Sequence, residues 1–261
     1  MSKPTHLEPS ELGTKEYWDN LYTTEIINHA DNPFDTGTVW FDDSDAEAKL
    51  IDFLSSADSD LDLGLTEDNT SFLDLGTGNG SLLFGLRDAG WEGRMLGVDY
   101  SRKSVEFARR IAESRNSDSG DEKPVEFLEH DILQTPPSTL LTNSQSQGWD
   151  VVLDKGTFDA ISLSSETDAT TGRRVAESYK SRITPLVREG GLFLVTSCNW
   201  TEPELRSWFE GVKEDDDEET KQWRFEQVGR VEYPSFSFGG VKGQTISSLC
   251  FKKIRNVGSS T

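Results

Sequence analysis

A chain of 261 residues is long enough for one α/β domain with extensions and a sizeable buried core. Its 47 acidic against 26 basic residues leave a formal net charge of −21, which disfavours nucleic acid as a partner and favours a basic protein. There is no apolar run of ~18 residues and no signal-like N-terminus, so neither a membrane span nor export is expected. The two cysteines, Cys198 and Cys250, lie in apolar strand-like runs without metal-ligand spacing. They read as buried structural thiols in a reducing, cytoplasmic setting, with nuclear presence left open, and no metal is expected.

Residues 1–14 carry no periodicity and read as disordered. Over 15–28, the spacing of Tyr17, Trp18, Leu21, Tyr22 and Ile26 predicts an amphipathic helix. Ser44-Asp45-Ala46-Glu47 has the form of a capping box ahead of a helix carrying Leu50, Ile51 and Leu54, and 55–70 reads as an acidic loop. Residues 15–54 thus form a short helical cap. Strand and helix then alternate, with strands at 71–75, 94–98, 125–128, 149–153 and 191–196 and helices at 81–89, 101–113 and 171–186.

Polar stretches at 116–123 and 134–148 interrupt this series. A second capping box, Thr201-Glu202-Pro203-Glu204, opens a helix with Leu205, Trp208 and Phe209, and a charged run over 213–221 follows. The runs 223–231 and 245–252 leave no room for a crossover helix between them and are expected to pair antiparallel. The fold class is α/β: a doubly wound, mostly parallel sheet ending in a C-terminal antiparallel strand pair. One domain is expected over 15–253, with its core at 71–253 and a disordered tail at 254–261.

Within the first βα unit, Phe72-Leu73-Asp74-Leu75-Gly76-Thr77-Gly78-Asn79-Gly80 runs from a strand into three glycines at alternate positions. A second strand edge, Met95-Leu96-Gly97-Val98-Asp99, follows about twenty residues on, as in nucleotide-cofactor sites. Dinucleotide folds use Gly-x-Gly-x-x-Gly, but here the third glycine arrives one residue early and Ser81 takes its place. Asp74 would repel a pyrophosphate, whereas it would attract a sulfonium or ammonium group. A plain tight turn is the alternative for the glycines, but it does not ask for Asp74 and Asp99 together.

Ligands of open α/β sheets bind beyond the carboxyl ends of the strands, so those ends supply the candidates. Asp74, Gly76, Thr77, Gly78 and Asn79 follow the first strand, and Asp99 and Tyr100 the second. Asp99 is placed to accept both hydroxyl protons of a ribose. His130, Asp131 and Ile132 follow the third strand, where an acid accepts from an adenine amino group and Ile132 packs on the ring. Asp131 as a turn residue and His130 as a hydrogen-bonded loop residue are the alternatives. Asp154-Lys155-Gly156-Thr157-Phe158-Asp159 and Ser197-Cys198-Asn199-Trp200 end the fourth and fifth strands. Lys155 reads either as a site residue or as a surface ion-pair partner.

The pattern Asp-x-Gly-x-Gly-x-Gly resembles the first motif of class I S-adenosylmethionine-dependent methyltransferases. Ser10-Glu11-Leu12-Gly13-Thr14-Lys15-Glu16-Tyr17-Trp18-Asp19, Asp35-Thr36-Gly37-Thr38-Val39-Trp40-Phe41 and Asp154-Lys155-Gly156-Thr157-Phe158-Asp159-Ala160 resemble the elongation factor 1-alpha lysine methyltransferases. So does the tail from Pro234 to Gly240 with Gly243 and Ser247-Ser248-Leu249-Cys250-Phe251. The likeness spans about 10–253.

It implies a Rossmann-like fold with a seven-stranded sheet and S-adenosylmethionine as cofactor. The cofactor's methionine part would lie on Asp74, Gly76 and Gly78, its ribose on Asp99 and its adenine on Asp131 and Ile132. Asp154 and Lys155 would lie beneath the sulfur, and Tyr17, Trp18, Trp40 and Phe41 would close the pocket. Phe158, Trp200 and Phe236 are candidate walls of a lysine channel, with core packing as the alternative, and Asp154 and Asn199 candidates to orient the amine. The partner implied is a basic protein, elongation factor 1-alpha, met by a monomeric enzyme. Two other readings stay open: a methyltransferase acting on another protein or a small molecule, and a non-catalytic acidic binding module.

Overall fold

A computed structural model describes residues 5–60, 64–116, 123–212, 216–238 and 241–256. Helices α1 (Lys15–Asp31) and α2 (Ala46–Asp60) precede strand β1 (Phe72–Leu75). Helix α3 (Ser81–Asp88), strand β2 (Met95–Asp99), helix α4 (Arg102–Asn116) and strand β3 (Val125–Glu129) complete one wing. The other wing holds β4 (Trp149–Lys155), α5 (Thr157–Ser162), α6 (Tyr179–Ile183), β5 (Val187–Ser197), α7 (Glu202–Phe209) and β6 (Trp223–Val231). A hairpin of β7 (Ser235–Phe238) and β8 (Val241–Gln244) leads to β9 (Ser247–Arg255).

Seven strands form one sheet in the order β3-β2-β1-β4-β5-β9-β6. The first five run parallel, and β9 lies antiparallel to both β5 and β6. The chain winds outward from β1 through β2 to β3, then returns to place β4 on the other side of β1. That reversal opens a crevice at the carboxyl ends of β1 and β4. Strand alternation splits the core over the two sheet faces: Phe72, Met95, Val151 and Leu194 pack with α2, α3 and α4. Leu73, Leu75, Val152 and Phe193 pack with α5, α6 and α7 on the opposite face.

Several local expectations are corrected. Residues 5–14 are docked rather than loose: Ser10 N–H donates to the Leu163 carbonyl at 3.1 Å, and a Cβ on Gly13 would lie 2.3 Å from the Leu163 backbone. Such backbone fit leaves no apolar periodicity to read. The box at 44–47 does not form: Ser44 Oγ meets Thr245 Oγ1 at 3.2 Å, and Glu47 turns toward Ser81 and Lys155. Helix α2 also continues into the stretch expected to be loop. The box at Thr201 does form, with Thr201 N–H donating to Glu204 at 2.9 Å.

The long helix expected over 171–186 is instead a 3₁₀ turn, the five-residue α6 and another 3₁₀ turn at Thr184–Leu186, where Pro185 cannot extend a helix. A short helix, α5, stands where only a strand end was expected. Cys250 is buried, but Cys198 is exposed in the turn after β5. At the C-terminus, β9 runs to Arg255 and Asn256 N–H bonds the Gln222 carbonyl at 2.9 Å; 257–261 lie outside the described residues. Among the described residues no helix is long and apolar enough to cross a membrane.

Candidate active site

The crevice holds a cavity of about 370 Å³. Its floor is the glycine turn, where Gly76, Gly78 and Gly80 all have positive φ. The turn fits tightly on its surroundings: a Cβ on Gly78 would sit 2.9 Å from Tyr22 Oη, and one on Gly80 2.6 Å from the Phe127 ring. Gly76, Thr77, Gly78, Asn79, Asp99, Tyr100, Asp131, Ile132, Trp40 and Lys155 all line the cavity, so ten of the predicted site residues converge there.

Asp99 ends β2 with both oxygens engaged. Its Oδ1 accepts from Ser101 N–H at 2.8 Å, while Oδ2 accepts from Gly78 N–H at 3.2 Å and from Ser104 Oγ at 2.8 Å. Burial, only partly offset by these donors, pushes its carboxyl up to about 6. Asn79 joins cap to floor, its Nδ2 donating to the Thr36 carbonyl at 2.8 Å. Asp131 accepts from Leu133 N–H at 2.9 Å, which makes it a turn residue and a cavity residue at once.

The roof comes from the cap. Trp18 and Tyr22 stand on one face of α1 at i, i+4 spacing and line the cavity together with Trp40, whose ring centroid is 5.2 Å from that of Trp18. Tyr22 was not among the predicted site residues, although the helical period was its signal. Tyr17 is absent from the lining and packs edge-on against Trp18 at 5.2 Å. Phe41 is likewise not in the wall; its ring packs against the core, 3.4 Å from where a Gly156 Cβ would be. Gly13, Thr157 and Ala160, which lie in the quoted motifs, also line the cavity, as do Ile161 and Glu166, which no sequence pattern marked.

Five predicted residues take other places. Asp74 lies on the same strand face as Phe72, buried under the turn rather than in the wall, and burial pushes its carboxyl up to about 7. The nearby Lys155 charge opposes that rise and Glu47 adds to it. Asp154 is 1% exposed and anchors α5: it accepts from Thr157 N–H at 2.8 Å, Phe158 N–H at 3.1 Å and Tyr179 Oη at 2.6 Å. It is not among the residues that line the cavity. Phe158 is fully buried among Tyr179, Trp200, Trp208 and Phe209, so neither it nor Trp200 walls a channel. Asn199 lies outside the lining, its N–H bonded to Ser197 Oγ at 3.1 Å. The Phe236 side chain lies outside those described.

Three polar atoms of cavity-lining residues, Trp40 Nε1, Thr77 Oγ1 and His130 Nε2, are buried without a hydrogen-bond partner in the protein. The cations do not suit a pyrophosphate: Lys15 pairs with Asp19 at 2.8 Å and Lys155 with Glu47 at 3.4 Å. An acceptor-rich, aromatic-roofed cavity suits a cationic ligand bearing ribose hydroxyls, and S-adenosylmethionine has that chemistry. Among the described residues no cluster of His, Cys, Asp and Glu could hold a metal ion.

Fold and cavity together define a Rossmann-like methyltransferase, and the methyltransferase domain family matches residues 66–240. The fold is also that of magnesium protoporphyrin IX methyltransferase from Synechocystis, with a TM-score of 0.53 at 16% identity over 93% of this chain and 97% of that one. The chain belongs more narrowly to the protein-lysine N-methyltransferase family. It is 40% identical to protein-lysine N-methyltransferase EFM4 of Saccharomyces cerevisiae, over 97% of this chain and 99% of that protein. It is 32% identical to EEF1A lysine methyltransferase 2 of Danio rerio, over 97% of this chain and 92% of the relative.

Proposed function

We propose that the protein transfers methyl groups from S-adenosylmethionine to a lysine ε-amine of translation elongation factor 1-alpha. The observation that carries this reading is where the similarity extends. The domain match begins at residue 66, but the likeness to lysine methyltransferases reaches across 97% of the chain and so takes in the cap. The cap supplies Trp18, Tyr22 and Trp40 to the cavity, and these distinguish this site from the bare fold. A cytoplasmic, monomeric enzyme is part of the same proposal.

The cofactor would rest on the glycine turn, Asp99 and Asp131, and when bound it supplies an electrophilic methyl group on a positive sulfur. The chain's own work is to admit a neutral amine and hold it. At neutral pH, removing the proton from an ordinary lysine costs ~4–5 kcal/mol. Desolvation in the cavity and repulsion by a positive sulfur would both disfavour the charged form, which lowers that cost. Orientation can contribute a further ~7–11 kcal/mol in well-aligned cases. These terms suffice without a dedicated base, and Asp154 is held by Thr157 N–H and Tyr179 Oη.

Calorimetry with S-adenosylmethionine and its demethylated product tests the cofactor half. One binding site per chain is expected, weakened by Trp40→Ala, and an absence of binding would overturn the reading.

A further inference from the structure

One carboxylate ties the cap to both sides of the cavity floor. Glu47, in the first turn of α2, accepts from Ser81 Oγ at 2.6 Å and meets Lys155 Nζ at 3.4 Å, with the same Oε1 serving both. Ser81 directly follows the glycine turn, and Lys155 ends β4, so the pair brackets the turn from its two ends. Lys155 Nζ also donates to the Trp40 carbonyl at 3.2 Å. Both side chains are largely withdrawn from water, at 13% and 18% exposure, where an ion pair is screened little.

The segment they hold is strained: Phe41 and Asp45 adopt left-handed φ of 66° and 51° without being glycine. Such conformations persist only where surrounding contacts over-determine them. Lys155, Glu47 and the Ser44–Thr245 contact are contacts of that kind. An ammonium has three donors and no acceptor, and two of those donors here face Trp40 and Glu47. A group so engaged is badly placed to take a proton from a substrate amine.

We propose that Lys155 and Glu47 act as a positioning pair that holds Trp40 over the cavity and couples closure of the cap to the glycine turn, with Lys155 taking no part in proton transfer. The inference rests on the methyl-transfer reading of the cavity. It turns a predicted catalytic residue into a structural lever and adds Glu47, which the sequence marked only as a capping-box acid.

The test compares Glu47→Gln, Lys155→Met, the double variant and Lys155→Arg in the full chain. The readouts are the Kd of S-adenosylhomocysteine by calorimetry and the KM, kcat and pH profile of lysine methylation. Each of the first two variants is expected to weaken binding roughly tenfold, within the range for groups that act together, and the double variant to be no worse than either. Lys155→Arg is expected to recover most of the loss, and the pH profile of kcat to keep its shape. A silent Glu47→Gln beside a Lys155→Met that abolishes turnover at unchanged Kd would overturn the proposal, as would additive losses in the double variant. If Lys155→Met unfolds in a melting experiment, Glu47→Gln and Lys155→Arg decide the matter. Absence of binding in the wild type would count against the methyl-transfer reading instead.

Discussion

The hydroxyl of Thr157 donates to the carbonyl of Leu75 at 2.6 Å, joining the start of α5 to the end of β1 directly under the glycine turn. A Cβ on Gly76 would lie 2.0 Å from that same hydroxyl oxygen, and Gly76 has φ of 65°. Gly76→Ala is therefore expected to cost about 1–2 kcal/mol from backbone strain alone. The clash adds to this, and cofactor binding should be lost. Adding Thr157→Ala removes the clashing oxygen and should restore part of the melting temperature. Equal stability of Gly76→Ala and wild type would show that the turn is looser than described.

Asp154→Ala should act chiefly on stability. It strips a shared acceptor from the buried Phe158 N–H and Tyr179 Oη and from the part-buried Thr157 N–H. Buried donors left unpaired cost about 1–3 kcal/mol each. At roughly 2–4 °C per kcal/mol for a chain of this size, the melting temperature should fall by about 4 °C or more. A fully stable variant with lost turnover would return Asp154 to the reacting centre.

The buried acids set a pH window. Asp74 is raised from 3.8 to about 7 and Asp99 from 3.8 to about 6, both mainly by burial. Between their unfolded and folded values the native state holds more protons than the unfolded chain, so the stability they contribute decreases as pH rises. The ligand-free protein should therefore gain melting temperature as pH is lowered from about 7 toward about 5. Cofactor affinity should run the opposite way across pH 6, because ribose hydroxyls need the ionised Asp99 as acceptor. Asp99→Asn should flatten that dependence, and a binding constant independent of pH in the wild type would misplace the ribose.

Thiol titration checks the placement of the two cysteines. Cys198 is exposed and Cys250 fully buried. One thiol should react in the native protein and two after unfolding. The native reaction should be slow, because partial burial of its sulfur and the Asp159 carboxylate push the Cys198 thiol up to about 12.

How much of this was legible in the sequence follows from what each residue answers to. The strand runs and helix periods around β1, β2, β4 and β9 record burial, which is periodic, so the sheet and its antiparallel end could be read. The glycine turn and Asp99 record local geometry and were equally plain. Asp154 and Asp159 look the same as site acids in a linear motif, yet both are anchors: Asp159 accepts from Cys198 N–H at 2.8 Å and from Ser197 Oγ, fixing the turn after β5. Phe158 illustrates the same limit, since an aromatic after a strand end serves a core or a channel with one spelling. Glu47 and Ser81 are 34 residues apart, and only the folded chain brings them together.

The most direct test of the account is transfer itself. The protein is incubated with methyl-labelled S-adenosylmethionine and purified, unmethylated elongation factor 1-alpha, and the labelled position is mapped by mass spectrometry. The account expects label on a lysine side chain of that factor, lost with Trp40→Ala. Label absent from the factor but present on another protein or a small molecule would contradict the proposed acceptor, and no label anywhere would contradict the proposed reaction.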